Sequence, residues 1–296
     1  MPTTRIVDFF LLAGLTRAAS FRRLSTLKDC RRAAAARVAA LRAELAADPA
    51  AASKRQQAAR ERAAGERLAR VERALADAAE LARRRGLPPE GPPDEPPSAS
   101  DGPAPPPDAK EPRVSTTDAE AKVMKMADGG FRPAFDVQFV SDTSSGTVAL
   151  VAVGNDGSDQ GKMVPASDRL EAIYGERPAR HLVDGGYTRL EDIEKLEGKG
   201  CQVFAPAPRA RVGQPDRWVP RATDPKGVAA WRARMGTEEA RATYRHRAAT
   251  AELANAQAKN RGLGQLTVRG TIKAKTVALW FALVHNRTRC WALAPA

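Results

Sequence analysis

The sequence predicts an α/β protein: a mixed sheet flanked by helices, preceded by a helical hairpin or coiled coil and by a disordered linker. Three observations point there. Residues 27–86 are rich in Ala, Arg, Glu and Leu with helical periodicity, and 87–114 are Pro- and acid-rich with little to build a core. From 115 onward, short apolar runs alternate between strand-like and helix-like patterns, as a layered α/β domain requires.

The first 26 residues form an atypical N-terminal segment. Its run Phe9-Phe10-Leu11-Leu12 resembles the core of an export signal, but Asp8 interrupts it and nothing downstream looks secreted. Ile6 to Phe10 have strand propensity instead. In 27–86, Val38, Leu41 and Leu45 recur at steps of three and four, as do Leu68, Val71 and Leu75. Each set makes one apolar stripe among charges. Asp48-Pro49 breaks the pattern, because proline cannot continue a helix interior, so the two stripes read as an antiparallel pair. Such a hairpin suits dimerisation or DNA contact, and a homodimer is one expected assembly. The linker at 87–114 cannot offset its ordering entropy by burial.

The domain expected at 115–290 begins with strands at 123–126, 131–140 and 147–153, a meander whose turns carry Asp128-Gly129-Gly130 and the polar residues 141–146. A helix through 170–174 leads to the strand His181-Leu182-Val183, then a helix at 190–196 and a strand at 202–204. A basic insertion fills 206–235. Thr237 is expected to cap a long helix, with Glu238 and Glu239 in its first turn where the dipole favours acids. The last helix, around 274–284, is apolar on most faces and is expected to pack on the sheet.

Of the 296 residues, 48 are Lys or Arg and 35 Asp or Glu, a net charge of +13. Because the linker is acidic, the excess lies on the segments read as folded. Charge of that size points to a polyanion, nucleic acid first. Cys30, Cys201 and Cys290 are too far apart for a disulfide framework or zinc ribbon, and His181, His246 and His285 lack ligand spacing. No apolar run approaches the ~20 residues of a membrane span. A cytoplasmic, nucleoid-associated protein is expected, with no membrane partner.

Two features carry candidate chemistry. Asp184 ends an apolar strand and is followed by two glycines. Ligands bind at that edge of open α/β sheets, and glycine lets a metal or phosphate approach the backbone. The same tripeptide at Asp128 serves an ordinary turn. On the long helix, Arg245, Glu252 and Lys259 are seven apart and share a face. One acid flanked by two bases can hold a metal beside phosphates, or simply form charge pairs.

Four segments together resemble insertion-sequence transposases of the DDE class. They are 115–125 (Ser-Thr-Thr-Asp-Ala-Glu-Ala-Lys-Val-Met-Lys), 130–138 (Gly-Phe-Arg-Pro-Ala-Phe-Asp-Val-Gln), 182–187 (Leu-Val-Asp-Gly-Gly-Tyr) and 231–240 (Trp-Arg-Ala-Arg-Met-Gly-Thr-Glu-Glu-Ala). Tyr244, Arg247, Glu252 and Lys259 follow in the order of that class's Tyr/Arg/Glu/Lys helix signature, with one more residue between Arg247 and Glu252 than some relatives carry. The resemblance implies a ribonuclease-H-like sheet presenting three carboxylates to two Mg²⁺ (or Mn²⁺) ions. It implies nicking at the element's terminal inverted repeats and attack of the freed 3′-hydroxyl on target DNA. Asp184 would be the second carboxylate and metal ligand, and Glu252 the third. Arg245, Arg247 and Lys259 would steady DNA phosphates, with Tyr244 packed or stacked beside them.

One family feature is missing. The first aspartate normally belongs to an Asp-Gly motif shortly before the segment matching Ala19-Ser20-Phe21-Arg22-Arg23, and no Asp-Gly occurs there. The residues up to about Arg17 depart from the family, as truncation or frame disruption would leave them. Asp8 is the candidate to stand in by position; Asp118 and Asp128 fit linker and turn better. The expectation is thus a DNA transposase weak or inactive as encoded. The alternatives are a non-catalytic DNA-binding remnant and, third, a structure-specific nuclease.

Overall fold

The computed structural model describes residues 4–47, 54–84, 112–126, 128–208 and 216–294. The chain divides into two units, Gly14–Lys125 with Phe131–Pro133, and Met1–Ala13 with Met126–Gly130 and Ala134–Ala296.

The first of these is built on two helices, α1 (Leu24–Ala47) and α2 (Lys54–Arg84). They run antiparallel: Arg42 of α1 pairs with Glu61 of α2, while Leu27 shares a buried cluster with Ala78. Val71, Ala74, Ala78 and Ala82 are buried at steps of three and four, so small side chains let the helices approach closely. Strands β2 (Phe21–Arg23) and β3 (Arg113–Ser115) pair antiparallel, and Val114 joins the same cluster. All but the last residues of the linker expected at 87–114 lie outside the described residues. Strand β4 (Lys122–Lys125) follows.

The larger unit holds a mixed sheet. Its strands are β1 (Thr4–Ala13), β5 (Phe131–Asp142), β6 (Val148–Gly154), β7 (Arg180–Leu182) and β8 (Gln202–Phe204). The spatial order is β6-β5-β1-β7-β8, and β4 also pairs with β5, whose first three residues group with it. β5 runs antiparallel to both β1 and β6, whereas β1, β7 and β8 are parallel. The segment read as an atypical N-terminus therefore supplies the middle strand. The meander expected from the sequence is present, with β1 inserted between β5 and β7.

Helices α3 (Met163–Tyr174), α4 (Leu190–Gly198), α5 (Lys226–Met235), α6 (Glu238–Asn260) and α7 (Thr271–Leu293) complete the unit. Met163, Leu170, Leu182, Ile193, Leu196, Val203, Val228 and Trp231 form its main core. α5 approaches α4 at Gly227, where a Cβ would lie 2.9 Å from that of Glu197. Part of the basic insertion, 209–215, lies outside the described residues. The rest is held by buried Arg232, whose Nε donates to Asp224 Oδ2 and whose Nη1 donates to Arg217 O, each at 2.7 Å.

α7 packs one face on the sheet. Phe281 stacks on Phe139 at 5.4 Å, His285 Nε2 donates to Gly146 O at 2.8 Å, and Asn286 bonds both backbone groups of Val148. The expected packing on the sheet is present, and the other face of the helix leaves Trp280, Leu283 and Trp291 exposed. Among the described residues no helix is long and apolar enough to cross a membrane.

Candidate functional site

The chain leaves the sheet at Asp184. Leu182 and Val183 are buried, and Val183 N still donates to Phe204 O at 3.0 Å. Asp184 then caps a 3-10 turn, Gly185–Tyr187, with Oδ1 accepting from Gly186 N at 2.8 Å. At Gly186 a Cβ would sit 2.8 Å from Asp159 Oδ2 and 3.1 Å from Asp184 Oδ1, so a side chain there would displace the Asp159 carboxylate. Asp128 makes the same turn bond, to Gly130 N at 3.0 Å. The two differ at the second oxygen: half-buried Asp184 presents Oδ2 to Arg247 Nη2 at 3.6 Å, beyond hydrogen-bond reach but within ion-pairing range.

Arg247 comes from α6, whose start is fixed by the sequence. Thr237 Oγ1 accepts from Ala240 N at 3.2 Å, satisfying one orphan amide of the first turn. Two turns on, Tyr244 Oη donates to Val183 O at 3.1 Å. Tyr244 and Arg247 together tie the first half of α6 to the end of β7. Arg245 is exposed and pairs with Glu238 of its own helix, and Lys259 is exposed in the last turn. Glu252 lies five residues beyond Arg247; its side chain and that of Asp8 lie outside the described residues.

Backbone register places Asp8. In β1 it is opposite Phe139 of β5. On the other edge the β1–β7 ladder ends at Ile6↔Leu182, and Asp8 and Asp184 each follow that pair by two residues. Neighbouring strands are ~4.8 Å apart. α6 lies against β1, and beyond it Leu266 N donates to Ala13 O at 2.8 Å. The helix carrying Glu252 therefore starts beside the end of β7, and the chain after it reaches the end of β1.

Among the described residues no group of three or more His, Cys, Asp or Glu is placed to hold a metal. The donors that sequence and register single out are all carboxylates, which suit a hard divalent cation such as Mg²⁺ or Mn²⁺ and not zinc. Asp184 fits that role, since among the described residues its Oδ2 makes only the long contact to Arg247.

Residues 208–291 match the family model described as a transposase DDE domain. That stretch is similar to a transposase DDE domain. No curated protein and no solved structure matches the chain. The matched stretch carries α5, α6 and most of α7, with Tyr244, Arg245, Arg247, Glu252 and Lys259; Asp8 and Asp184 precede it.

The surroundings of the candidate site also hold residues that periodicity could not find. A cleft of about 650 Å³ beside Tyr244 is lined by Arg217, Trp218, Arg241 and Arg245, with Arg217 stacked 4.7 Å from the Trp218 ring centre. Arg241 is one helical turn before Arg245, a spacing that could have flagged it. Trp218 lies in irregular chain and gives no pattern. Asp136 on β5 is buried, and burial pushes its carboxyl up to about 6 despite Lys162 nearby. Three residues before Asp184, buried His181 has no hydrogen-bond partner for either ring nitrogen among the described residues, and burial pushes it down to about 4.

Proposed function

We propose that this chain is a DNA transposase that carries out divalent-metal-dependent phosphoryl transfer on a ribonuclease-H-like sheet. Asp8, Asp184 and Glu252 are its carboxylates. The observation that supports the reading is that the β1–β7 ladder ends at Ile6↔Leu182, two residues before Asp8 on β1 and two before Asp184 just beyond β7, with α6 across β1. An aspartate on the middle strand answers the missing Asp-Gly motif, so the chain is read as competent. A sheet of order β6-β5-β1-β7-β8, antiparallel only at β5, supports the fold.

In this reading the three carboxylates would hold two Mg²⁺ ions, which when bound activate the attacking oxygen and stabilise the leaving one. The chain's own residues do the rest. Arg247 balances the Asp184 carboxylate across 3.6 Å and stands where a scissile phosphate would approach. Tyr244, anchored on Val183 O, sets the distance between α6 and the sheet. Arg245 and Lys259 are exposed on the helix and attract the DNA backbone. Gly186 keeps the edge beside Asp184 open to the substrate. The substrates are the element's terminal repeats and then target DNA.

The test is Mn²⁺-dependent nicking of a plasmid carrying the element's own flanks, comparing the full chain with Asp184→Asn. Nicking that the substitution abolishes supports the proposal. If neither protein nicks while both bind DNA, the chain is a non-catalytic DNA-binding remnant. Nicking indifferent to the flanks identifies a structure-specific nuclease.

A further inference from the structure

Charge is not spread evenly along the chain. Between residues 17 and 84 there are seventeen Lys and Arg against eight Asp and Glu, a net +9 of the chain's +13. Most of these residues are on α1 and α2, away in sequence from the stretch at 208–291. The buried stripe Val71, Ala74, Ala78 and Ala82 fixes which side of α2 faces its partner helix. Arg55, Arg62 and Arg73 lie on the opposite side, within about 20° of one line at 100° per residue.

That outer ridge is exposed, and exposed Ala59 and Ala69 lie between its arginines. The acids on the same side are already engaged: Glu66 with Arg70, Asp77 with Lys122 and Glu80 with Arg83. Arg62 Nε donates to Ala58 O at 3.2 Å, and among the described residues Arg55, Arg62 and Arg73 have no acidic partner. At 1.5 Å per residue the three stand about 10 and 16 Å apart along the axis. They form a row of positive charges; between Arg62 and Arg73 lie Glu66 and Arg70, paired with each other, so the face stays net positive and a polyanion's backbone can come close.

We propose that the outer ridge of α2, carried by Arg55, Arg62 and Arg73, is a second DNA-binding surface that grips the duplex phosphate backbone without reading sequence. It rests on the reading that the chain's partner is DNA, but not on the carboxylate site. Duplex DNA is favoured over a second copy of the chain on two grounds. The ridge offers no apolar side chain larger than alanine, and a copy would present the same positive charge to it. Arginine reports phosphate contact and carries no base preference by itself.

The experiment uses the full chain without divalent metal and a fluorescein-labelled duplex of arbitrary sequence. Anisotropy is read from 50 to 200 mM salt for the wild type and the triple variant Arg55→Gln, Arg62→Gln, Arg73→Gln. Three phosphate contacts at ~0.9 each make the log–log salt slope shallower by about 2.7. The affinity lost across that fourfold salt range then shrinks by about 40-fold, equally for all sequences. A triple Arg→Lys variant keeps the wild-type slope, which separates lost charge from misfolding. An unchanged slope in the Gln variant overturns the proposal and leaves the catalytic reading untouched. So does a slope change confined to element ends, a shift in oligomeric mass with unaltered DNA binding, or tighter binding to duplex RNA.

Discussion

His181 offers the sharpest quantitative prediction, because its environment is simple. It is fully buried on β7 between Arg5 of β1 and Val203 of β8, and neither ring nitrogen has a hydrogen-bond partner among the described residues. Burial holds its pKa down at about 4 against 6.5 for a free imidazole. Between those values the unfolded chain binds the extra proton, so stability is complete above pH 6.5 and is lost as pH falls toward 4. The full difference is about 3 kcal/mol, of which about 2 kcal/mol is gone by pH 5. His181→Leu removes the titration at nearly constant volume. Urea unfolding of wild type and variant at pH 7.5, 6 and 5 gives the difference directly. Asp136, raised to about 6, acts in the opposite sense but is common to both proteins and cancels. Wild type should lose about 2 kcal/mol relative to the variant between pH 7.5 and 5. Parallel profiles would refute the reasoning, since they would mean a solvated or bonded imidazole.

Two further predictions concern stability. Asp136→Asn should stabilise the protein at pH 8 by up to about 3 kcal/mol, because the buried carboxylate is then charged, and the gain should vanish at pH 4; urea midpoints at the two pH values check this. Thr237→Ala removes the side-chain cap of α6 and should cost about 1 kcal/mol in the same assay, with Thr237→Ser restoring most of it.

Local pattern made much of this architecture legible. The strands at 123–126, 131–140, 147–153 and 202–204, the Thr237 cap and the antiparallel helix pair all follow from periodicity, turn residues and capping, which act within a few residues. Long-range pairing was not legible. Ile6 to Phe10 could be given strand propensity, but nothing local says that this strand sits between β5 and β7, more than a hundred residues away in sequence. For α7, composition pointed to packing on the sheet but not to which face is covered; Trp280 and Trp291 remain exposed.

The candidate site divides along the same line. Asp184 followed by two glycines marks a strand end from sequence alone, and the structure adds what separates it from Asp128, an ion pair from a distant helix. The placement of Tyr244 against Val183 O depends on how α6 crosses the sheet, which no spacing in the helix encodes. Asp136 and His181 read as ordinary polar residues until the fold buries them.

The central claim is that carboxylates from β1, the end of β7 and α6 act as one site. Mn²⁺-dependent nicking rates of Asp8→Asn, Asp184→Asn and Glu252→Gln, with the turn variant Asp128→Asn and DNA affinity as controls, test it most directly. The account predicts that each of the first three abolishes nicking while DNA affinity and Asp128→Asn stay at wild-type levels. Wild-type nicking by Asp8→Asn, alongside loss in Asp184→Asn, would contradict it.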